Sequence, residues 1–389
     1  MKLRTLAVAG LVALCGGAFA QSPAKEVLPK PDANGTYLFW KPDEQLAGYR
    51  NIEKIFPTHV IRKGDHVAPL PDGPKLKLAN WKDHDQDTDL AGFMARARVA
   101  GVLVIHHDKV VLEQYALGYS RGQRWTSFSV GKSFSSTLLG AAIKDGAIGG
   151  VDDLVTRYIP ELKGTAYDGV TIRQVLNMTS GAKWNENYDD PNSDVAMIRA
   201  EKPVNGSDPV VTYMSRLKRE AEPGTKFVYK TGETHLIGSI IRAATHKSMA
   251  DYLSEKIWKP YGMEMDGVWL LDNAGHEYSG CCISATLRDY GRYGVFFKNG
   301  AKVNGKAIVP DTWVHDATTG STANKGYGYQ WWLTNGPSFN AQGIFGQQIH
   351  INPAQDLVIV VQSATQGATN RDASQSRAAF ISAVEATLK

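Results

Sequence analysis

The sequence predicts a fold of the α/β class, more narrowly α+β, with an antiparallel β-sheet flanked by helices and a mainly helical subdomain beside it. Strand-like alternation occurs near residues 100–116 and again near 346–362, and the long stretch between them is mainly helical. An amphipathic helix over 371–388 closes the chain. Because strands from both ends of the chain enclose a helical insertion, we expect the two parts to share one cleft.

Length and composition support two subdomains. The chain has 389 residues, of which 43% are apolar and 21% charged, and its formal net charge is +4. This length exceeds that of a typical single core. We predict a signal peptide over 1–20, an extended N-terminal arm over 21–89, a sheet subdomain over 90–125 and 260–389, and a helical subdomain over 126–259. No long basic block is present, so nucleic acid is not an expected partner.

The first residues predict export. A charged start precedes a short apolar stretch over 5–18, and small residues lead to a cleavage site after Ala20. We expect a periplasmic or secreted protein with no stable membrane insertion after cleavage, because the apolar stretch is too short to span a bilayer. Lipid attachment at Cys15 stays open. The mature chain keeps only Cys281 and Cys282, and adjacent cysteines close a strained ring, so we predict no structural disulfide.

The elements follow in chain order. The proline-rich arm carries four aromatic anchors, Tyr37, Phe39, Trp40 and Trp81. Further predicted elements are a helix over 90–99, a hairpin over 100–105 and 110–116, a helix from the Thr171 cap to 178, one strand over 326–333, and a hairpin over 346–351 and 357–362.

The segment from Trp125 to Leu139 indicates a serine nucleophile with a lysine base. Ser129 and Lys132 are three residues apart at the start of a predicted helix with an apolar stripe. That spacing places both side chains on one helix face. A lysine that is desolvated near a helix N-terminus becomes less basic and can take the serine proton.

The tetrapeptide alone is a weak signal, because Ser-x-x-Lys occurs four times in the chain. The other three begin at Ser22, Ser180 and Ser215, and they lie near the cleavage site, in a turn-like run and before a Pro-Gly turn. Only Ser129 follows a strand pair and opens an apolar helix.

A second candidate group lies around Tyr229, between a Pro-Gly turn and an apolar helix. A phenol at this position could reach the cleft. A nearby ammonium would lower its pKa, so that it could shuttle a proton to the leaving group. Taken alone, Tyr229 fits a core tyrosine as well.

With these blocks in place, the chain resembles the penicillin-recognising serine hydrolases, the class C β-lactamase-like group. Three blocks match in order: Ser129-x-x-Lys132, Tyr229-x-Thr231, and Ala341-Gln-Gly343 on a late strand. Within this family it is most similar to the 6-aminohexanoate-dimer (nylon oligomer) hydrolases, through segments over 177–194, 326–332 and 343–347. The resemblance covers about residues 90 to 389 and implies a β-lactamase/transpeptidase-like fold.

The resemblance also implies roles. Ser129 would be the nucleophile, Lys132 its base and Tyr229 the proton shuttle. The backbone N–H groups of Ser129 and Ile344 would form the oxyanion hole. Tyr188 would help to hold the amide from a flexible polar loop.

The substrate-binding set implied by the resemblance is completed by Thr231 and Gly343. Thr231 stands where the family usually has asparagine, and Ala341 stands where it usually has a cation. Both departures argue against β-lactamase activity and are tolerable for an amidase or esterase.

We therefore predict a serine hydrolase that cleaves a small amide or ester through an acyl-enzyme. A β-lactamase or D-Ala-D-Ala peptidase remains an alternative, and so does a non-catalytic penicillin-binding-type sensor. We expect no metal and no other cofactor, because no metal-ligand spacing is present and the phosphate-loop and calcium-loop patterns each lack a required glycine. The natural substrate and the oligomeric state stay open.

Overall fold

A computed structural model describes residues 27–32, 35–204 and 206–389. The predicted leader, its cleavage site and Cys15 lie outside these residues. The helices are α1 (Pro42–Tyr49), α2 (Ile52–Ile55), α3 (Leu90–Arg96), α4 (Gly131–Lys144), α5 (Ile172–Leu176), α6 (Asp194–Met197), α7 (Pro209–Ser215), α8 (Thr231–Thr245), α9 (Met249–Leu253), α10 (Lys259–Tyr261), α11 (Leu287–Lys298), α12 (Trp313–Ala317) and α13 (Arg371–Thr387). The strands are β1 (Thr58–Ile61), β2 (Trp81–Asp83), β3 (Gln86–Thr88), β4 (Val99–His106), β5 (Lys109–Tyr115), β6 (Trp125–Thr126), β7 (Gly267–Leu270), β8 (Ile283–Ala285), β9 (Lys302–Val303), β10 (Lys306–Ala307), β11 (Trp332–Leu333), β12 (Phe339–Gln342), β13 (Gln348–Asn352) and β14 (Leu357–Ser363).

The main sheet has six strands in the order β11-β12-β13-β14-β4-β5, and every neighbouring pair is antiparallel. Strands from the N-terminal and C-terminal parts of the chain therefore meet inside the sheet, where β14 pairs with β4. A smaller antiparallel sheet has the order β1-β7-β8-β6. The predicted antiparallel sheet with flanking helices is confirmed.

The two faces of the sheet follow the alternation of its side chains. On β4, Val102 and Val104 belong to the apolar layer that contains Phe380 of α13, while Leu103 and Ile105 face the larger core on the opposite side. Because successive strand residues point to opposite faces, one apolar strand can serve two helical layers.

Helix α11 covers the second face at close range. A Cβ atom at Gly294 would lie only 2.5 Å from Cγ1 of Val358 on β14. Such a distance is shorter than a real carbon contact, so the absence of a side chain at Gly294 lets the helix approach the sheet.

Helix α4 lies in the interior rather than at a surface. All its residues from Gly131 to Ala142 are buried, although the sequence predicted a single apolar stripe. Its polar side chains bond to neighbouring segments: the Ser133 hydroxyl donates to the Gln330 carbonyl at 2.8 Å and the Ser135 hydroxyl donates to the Ser279 carbonyl at 2.7 Å. These bonds satisfy the buried hydroxyls of Ser133 and Ser135, so a helix with a polar face can occupy the core.

The predicted single strand over 326–333 is wrong. Only its end forms β11, because Gln330 adopts a positive φ of 65° and the chain folds back on itself. The side chain of Gln330 stabilises this turn by donating to the Leu176 carbonyl at 2.8 Å and accepting from the Thr234 hydroxyl at 2.6 Å. These bonds come from distant segments, so local alternation did not predict the break.

The stretch predicted as an arm forms α1, α2 and β1–β3 within its described part. Three of the four predicted aromatic anchors, Tyr37, Trp40 and Trp81, are buried or partly buried as expected. The fourth, Phe39, is exposed.

The division into domains remains a prediction. No helix in the described ranges combines the length and the apolarity that crossing a bilayer requires.

Candidate active site

The turn that presents Ser129 connects β6 to α4. Residues Phe128–Val130 form a 3₁₀ turn, and Phe128 has a positive φ of 44°, which is uncommon for a residue with a side chain. Its ring packs edge-on against Tyr49 and Phe345, with centroids 4.8 and 4.9 Å apart. These contacts hold the unusual backbone, and the turn places the Ser129 hydroxyl at the wall of a cleft.

Lys132 follows Ser129 by one helical turn, and its side chain is almost completely buried. Its ammonium nitrogen donates to the Ser129 hydroxyl at 3.0 Å, to the Thr231 hydroxyl at 3.0 Å and to the Gly280 carbonyl at 2.8 Å. Burial lowers the pKa of Lys132 to about 8, and the carboxylate of Glu186 acts in the opposite direction. A substantial fraction of the side chain is therefore a neutral amine near pH 8, and that amine can accept the serine proton.

Tyr229 stands beside this pair. The Lys132 nitrogen lies 5.1 Å from the centroid of the Tyr229 ring, and the ring stacks on Trp332 with centroids 5.4 Å apart. Burial and the charge of Glu186 raise the pKa of Tyr229, while a side-chain hydrogen bond with Ser129 lowers it by less. The predicted lowering of this pKa is wrong, because desolvation of the phenol and the charge of Glu186 both raise it. Tyr229 is thus a neutral phenol that can relay a proton.

The turn after β12 faces the turn that carries Ser129. A Cβ atom at Gly343 would lie 2.8 Å from the Ser127 carbonyl oxygen, so the two turns approach as closely as glycine allows. Ile344 follows and lines the same cavity as Ser129. Within the described residues, neither the Ser129 N–H nor the Ile344 N–H donates to a protein acceptor. Two free backbone donors on facing turns are what an oxyanion hole requires.

Glu186 is the principal residue of this region to which the sequence assigned no role. Its carboxylate accepts from the Thr231 N–H at 2.9 Å, from the Tyr188 hydroxyl at 2.5 Å, and from the Thr231 hydroxyl and the Trp184 indole. It therefore joins the 184–188 segment to the start of α8. The resemblance included this segment, but nothing in its pattern distinguished Glu186 from the neighbouring polar residues.

Thr231 and Tyr188 are both part of this network. Thr231 accepts from Lys132 and donates to Glu186, so its hydroxyl connects the base to the carboxylate. Tyr188 is half-buried at the cavity wall, and burial followed by the charge of Glu186 raises the pKa of its phenol.

The prediction of no disulfide is wrong. Cys281 and Cys282 are bonded to each other, and both sulfurs lie 2.8 Å from the Tyr37 hydroxyl. The pair directly follows Gly280, whose carbonyl holds Lys132. The Gly280 carbonyl is therefore followed directly by the disulfide, which contacts Tyr37 of the N-terminal region.

The cleft in front of Ser129 has a volume of about 380 Å³. This size suits a small molecule. The predicted residues on its wall are Ser129, Tyr188, Tyr229, Gly343 and Ile344, while Lys132 and Thr231 lie outside this lining. Residues that the sequence did not predict also line it: Trp332, Gln342, Gly346, Thr365, Thr369, Asn370, Ser374 and Arg377.

Comparison with known proteins shows the family of this chain. Residues 87–383 match the family described as Beta-lactamase, and the chain belongs to the beta-lactamase family of serine hydrolases. A curated relative, the 6-aminohexanoate-dimer hydrolase of Paenarthrobacter ureafaciens, is 27% identical over 335 residues, which cover 81% of this chain and 84% of that protein.

Solved structures support the same fold. A Bacillus anthracis protein assigned as a 6-aminohexanoate-dimer hydrolase superposes with a TM-score of 0.76 at 22% identity, covering 92% of this chain and 98% of that one. A class C beta-lactamase superposes with a TM-score of 0.57 at 17% identity, covering 77% and 94%. At these identities the structures establish the fold alone.

Proposed function

We propose that this protein cleaves a small amide or ester through a covalent acyl-enzyme formed on Ser129. The observation that carries the proposal is the 3.0 Å contact between the Lys132 nitrogen and the Ser129 hydroxyl, in a buried site where the pKa of the lysine falls to about 8. A serine needs such a base to become a nucleophile.

In the first step the Ser129 oxygen attacks the substrate carbonyl, and the hydroxyl proton passes to the neutral amine of Lys132. A carbon–oxygen bond forms, and the carbonyl π pair moves onto the oxygen. The N–H groups of Ser129 and Ile344 would stabilise this oxyanion, each donor contributing about 3–4 kcal/mol in comparable sites.

In the second step the bond to the leaving group breaks as the oxyanion collapses. Tyr229 gives its proton to the departing amine or alcohol and regains one from Lys132, which returns to the neutral form. Water then attacks the acyl-enzyme with the same groups acting in reverse. It gives its proton back to Ser129, and the acid is released.

The substrate class rests on the cavity and on the relatives. A volume of about 380 Å³, with Tyr188, Tyr229 and Trp332 on its wall, supports a small and partly apolar substrate. The relative from Paenarthrobacter ureafaciens carries the name 6-aminohexanoate-dimer hydrolase, which supports a linear amide as a candidate. Ala341 supplies no cation on β12, which disfavours a β-lactam.

We also propose that the protein acts in the periplasm or outside the cell, after cleavage behind Ala20. The bond between Cys281 and Cys282 supports an oxidising compartment. N-terminal sequencing of the protein recovered from the periplasmic fraction tests this. A chain that starts at Gln21 is expected, and one that keeps residues 1–20 in the cytoplasm contradicts it.

Ser129→Ala tests the catalytic proposal directly. We expect loss of p-nitrophenyl ester hydrolysis with an unchanged melting temperature. Ser136→Ala is a matched control, because the buried Ser136 hydroxyl on the same helix has no hydrogen-bond partner within the described residues. Full activity of Ser129→Ala would refute the assignment.

The alternatives differ in the fate of the acyl-enzyme. Intact-mass spectrometry with an ester or a β-lactam gives a persistent adduct for a penicillin-binding-type sensor, and product without lasting adduct for a hydrolase. A panel of 6-aminohexanoate dimer, short-chain esters, nitrocefin and D-Ala-D-Ala peptides then separates an amidase or esterase from a β-lactamase or peptidase.

A further inference from the structure

His235 is a buried titratable side chain that no step of the proposed hydrolysis uses. It lies on α8, and only 1% of it is exposed. Its Nδ1 accepts the Gly280 N–H at 2.9 Å, whereas its Nε2 has no hydrogen-bond partner within the described residues. A buried nitrogen without a partner is costly, so a histidine at this core position requires an explanation.

Gly280 connects His235 to the base of the active site. Its N–H donates to His235, and its carbonyl accepts from the Lys132 nitrogen at 2.8 Å. A Cβ atom at Gly280 would lie 2.9 Å from Cε1 of His235 and 2.8 Å from Cγ2 of Thr231, so a residue with a side chain would not fit between them. The imidazole ring therefore helps to fix the position of the carbonyl that Lys132 uses.

The three partners of Lys132 determine where its lone pair points. The ammonium nitrogen donates to Ser129, Thr231 and Gly280. The Gly280 carbonyl can only accept, and the Thr231 hydroxyl donates its own proton to Glu186, so it also accepts from Lys132. After the nitrogen loses one proton, its two N–H bonds serve these two acceptors. The lone pair is then left for the Ser129 hydroxyl.

We infer that His235 is a positioning residue of the hydrolase, which holds Gly280 so that its carbonyl directs the lone pair of Lys132 at the serine hydroxyl. The inference rests on the proposed acyl-enzyme at Ser129. Because the Gly280 N–H is a donor, Nδ1 of His235 must be the unprotonated nitrogen, and the ring proton is on Nε2. His235 neither takes nor gives a proton during the reaction.

The surroundings of His235 keep its imidazole neutral. The Tyr278 ring packs against it with centroids 3.7 Å apart. Burial holds the pKa of His235 well below its usual range. Three cations, those of Lys132, Arg199 and Arg242, lower that pKa further. An imidazolium would carry a proton on Nδ1 and lose the N–H that it accepts, so His235 should stay neutral at working pH.

The pH profile of His235→Leu distinguishes positioning from packing. In this variant the Gly280 N–H has no acceptor, and its carbonyl can move away from Lys132. The ammonium form then loses a hydrogen bond, while the Glu186 carboxylate and the Tyr229 phenol still face it. For a neutral ester we expect the half-maximal pH of kcat/KM to fall by about one unit and the plateau by about tenfold or more.

Two further variants serve as controls. His235→Asn places an amide oxygen where Nδ1 stands, so it can accept the same N–H and should keep the half-maximal pH of the wild type and most of the plateau. Ile241→Val removes one buried methyl group from the same helix. It should leave the half-maximal pH in place, because lost packing lowers the amount of folded enzyme at every pH alike.

The tautomer of His235 can be measured directly. ¹⁵N NMR of the histidine rings in the wild-type protein, with His235→Asn to assign the signals, should show a proton on Nε2 and none on Nδ1. These signals should not titrate between about pH 5 and pH 9.

Two results would overturn the inference: a proton on Nδ1 of His235, or a His235→Leu profile that loses height without moving along the pH axis. If His235→Leu does not fold, the tautomer in the wild type decides. Neither result affects the hydrolase proposal, because Ser129→Ala tests that proposal without any change at His235.

Discussion

The backbone N–H of Thr231 donates a 2.9 Å hydrogen bond to the carboxylate of Glu186, and the Thr231 hydroxyl donates to the same carboxylate. Thr231 also accepts from Lys132, so a single residue connects the base on α4 to an acid in a separate segment of the chain. This network couples the charge of the 184–188 segment to the site of proton transfer.

Glu186→Gln should change the pH dependence of the reaction. The charge of Glu186 raises the pKa of Lys132, so its removal lowers that pKa further. The neutral amine then exists at lower pH, and the ascending limb of kcat/KM moves to lower pH. Asp189→Asn, which removes an exposed charge from the same loop, should leave the limb in place. A limb that moves to higher pH in Glu186→Gln would contradict the coupling.

The wild-type pH profile follows from Lys132. Because its neutral form takes the proton, kcat/KM for a neutral ester should rise with pH, reach half its maximum at about pH 8, and stay high above it. Lys132→Arg stays charged and should lose about 10²–10⁴-fold in activity at every pH tested. A wild-type half-maximum below about pH 6.5 would indicate a histidine-like base instead.

Tyr229→Phe should separate amides from activated esters. An amine cannot leave without a proton, whereas p-nitrophenolate can, so amide hydrolysis should fall by about 10²–10⁴-fold and p-nitrophenyl ester hydrolysis by much less. Tyr327→Phe is the control, since its ring lies against Tyr229 with centroids 6.0 Å apart. Equal losses of activity for both substrates would show that Tyr229 does not donate a proton to the leaving group.

Gly294→Ala tests the packing of α11 on the sheet. The added methyl group would meet Val358 at 2.5 Å and Ile349 at 3.1 Å, so overpacking should cost about 1–3 kcal/mol of unfolding free energy despite the better helix propensity of alanine. Gly150→Ala, where a Cβ meets nothing within 4 Å, is the control in urea denaturation. Equal stability of the two variants would mean that the helix can shift without cost.

The elements that the sequence predicted well are those that local interactions determine. The β4–β5 hairpin follows from alternation around a tight turn, and α5 begins at Thr171, whose side chain and that of Gln174 form a capping box. The amphipathic pattern of α13 appears in the structure from Arg371 to Thr387. In each of these the pattern lies within a few residues of the element that it specifies.

The sequence by itself determined that Ser129 and Lys132 lie together, because one helical turn joins them. The order of the three motif blocks along the chain also indicated the family. Only the tertiary structure decided that Gly280 contacts Lys132, that Glu186 contacts Thr231 beside it, and that Arg377 lines the cleft in front of Ser129. Lys132 meets the Gly280 carbonyl across 148 residues of chain. Burial then decided the pKa directions of Lys132 and Tyr229, because desolvation depends on everything packed around a group and not on its neighbours in sequence.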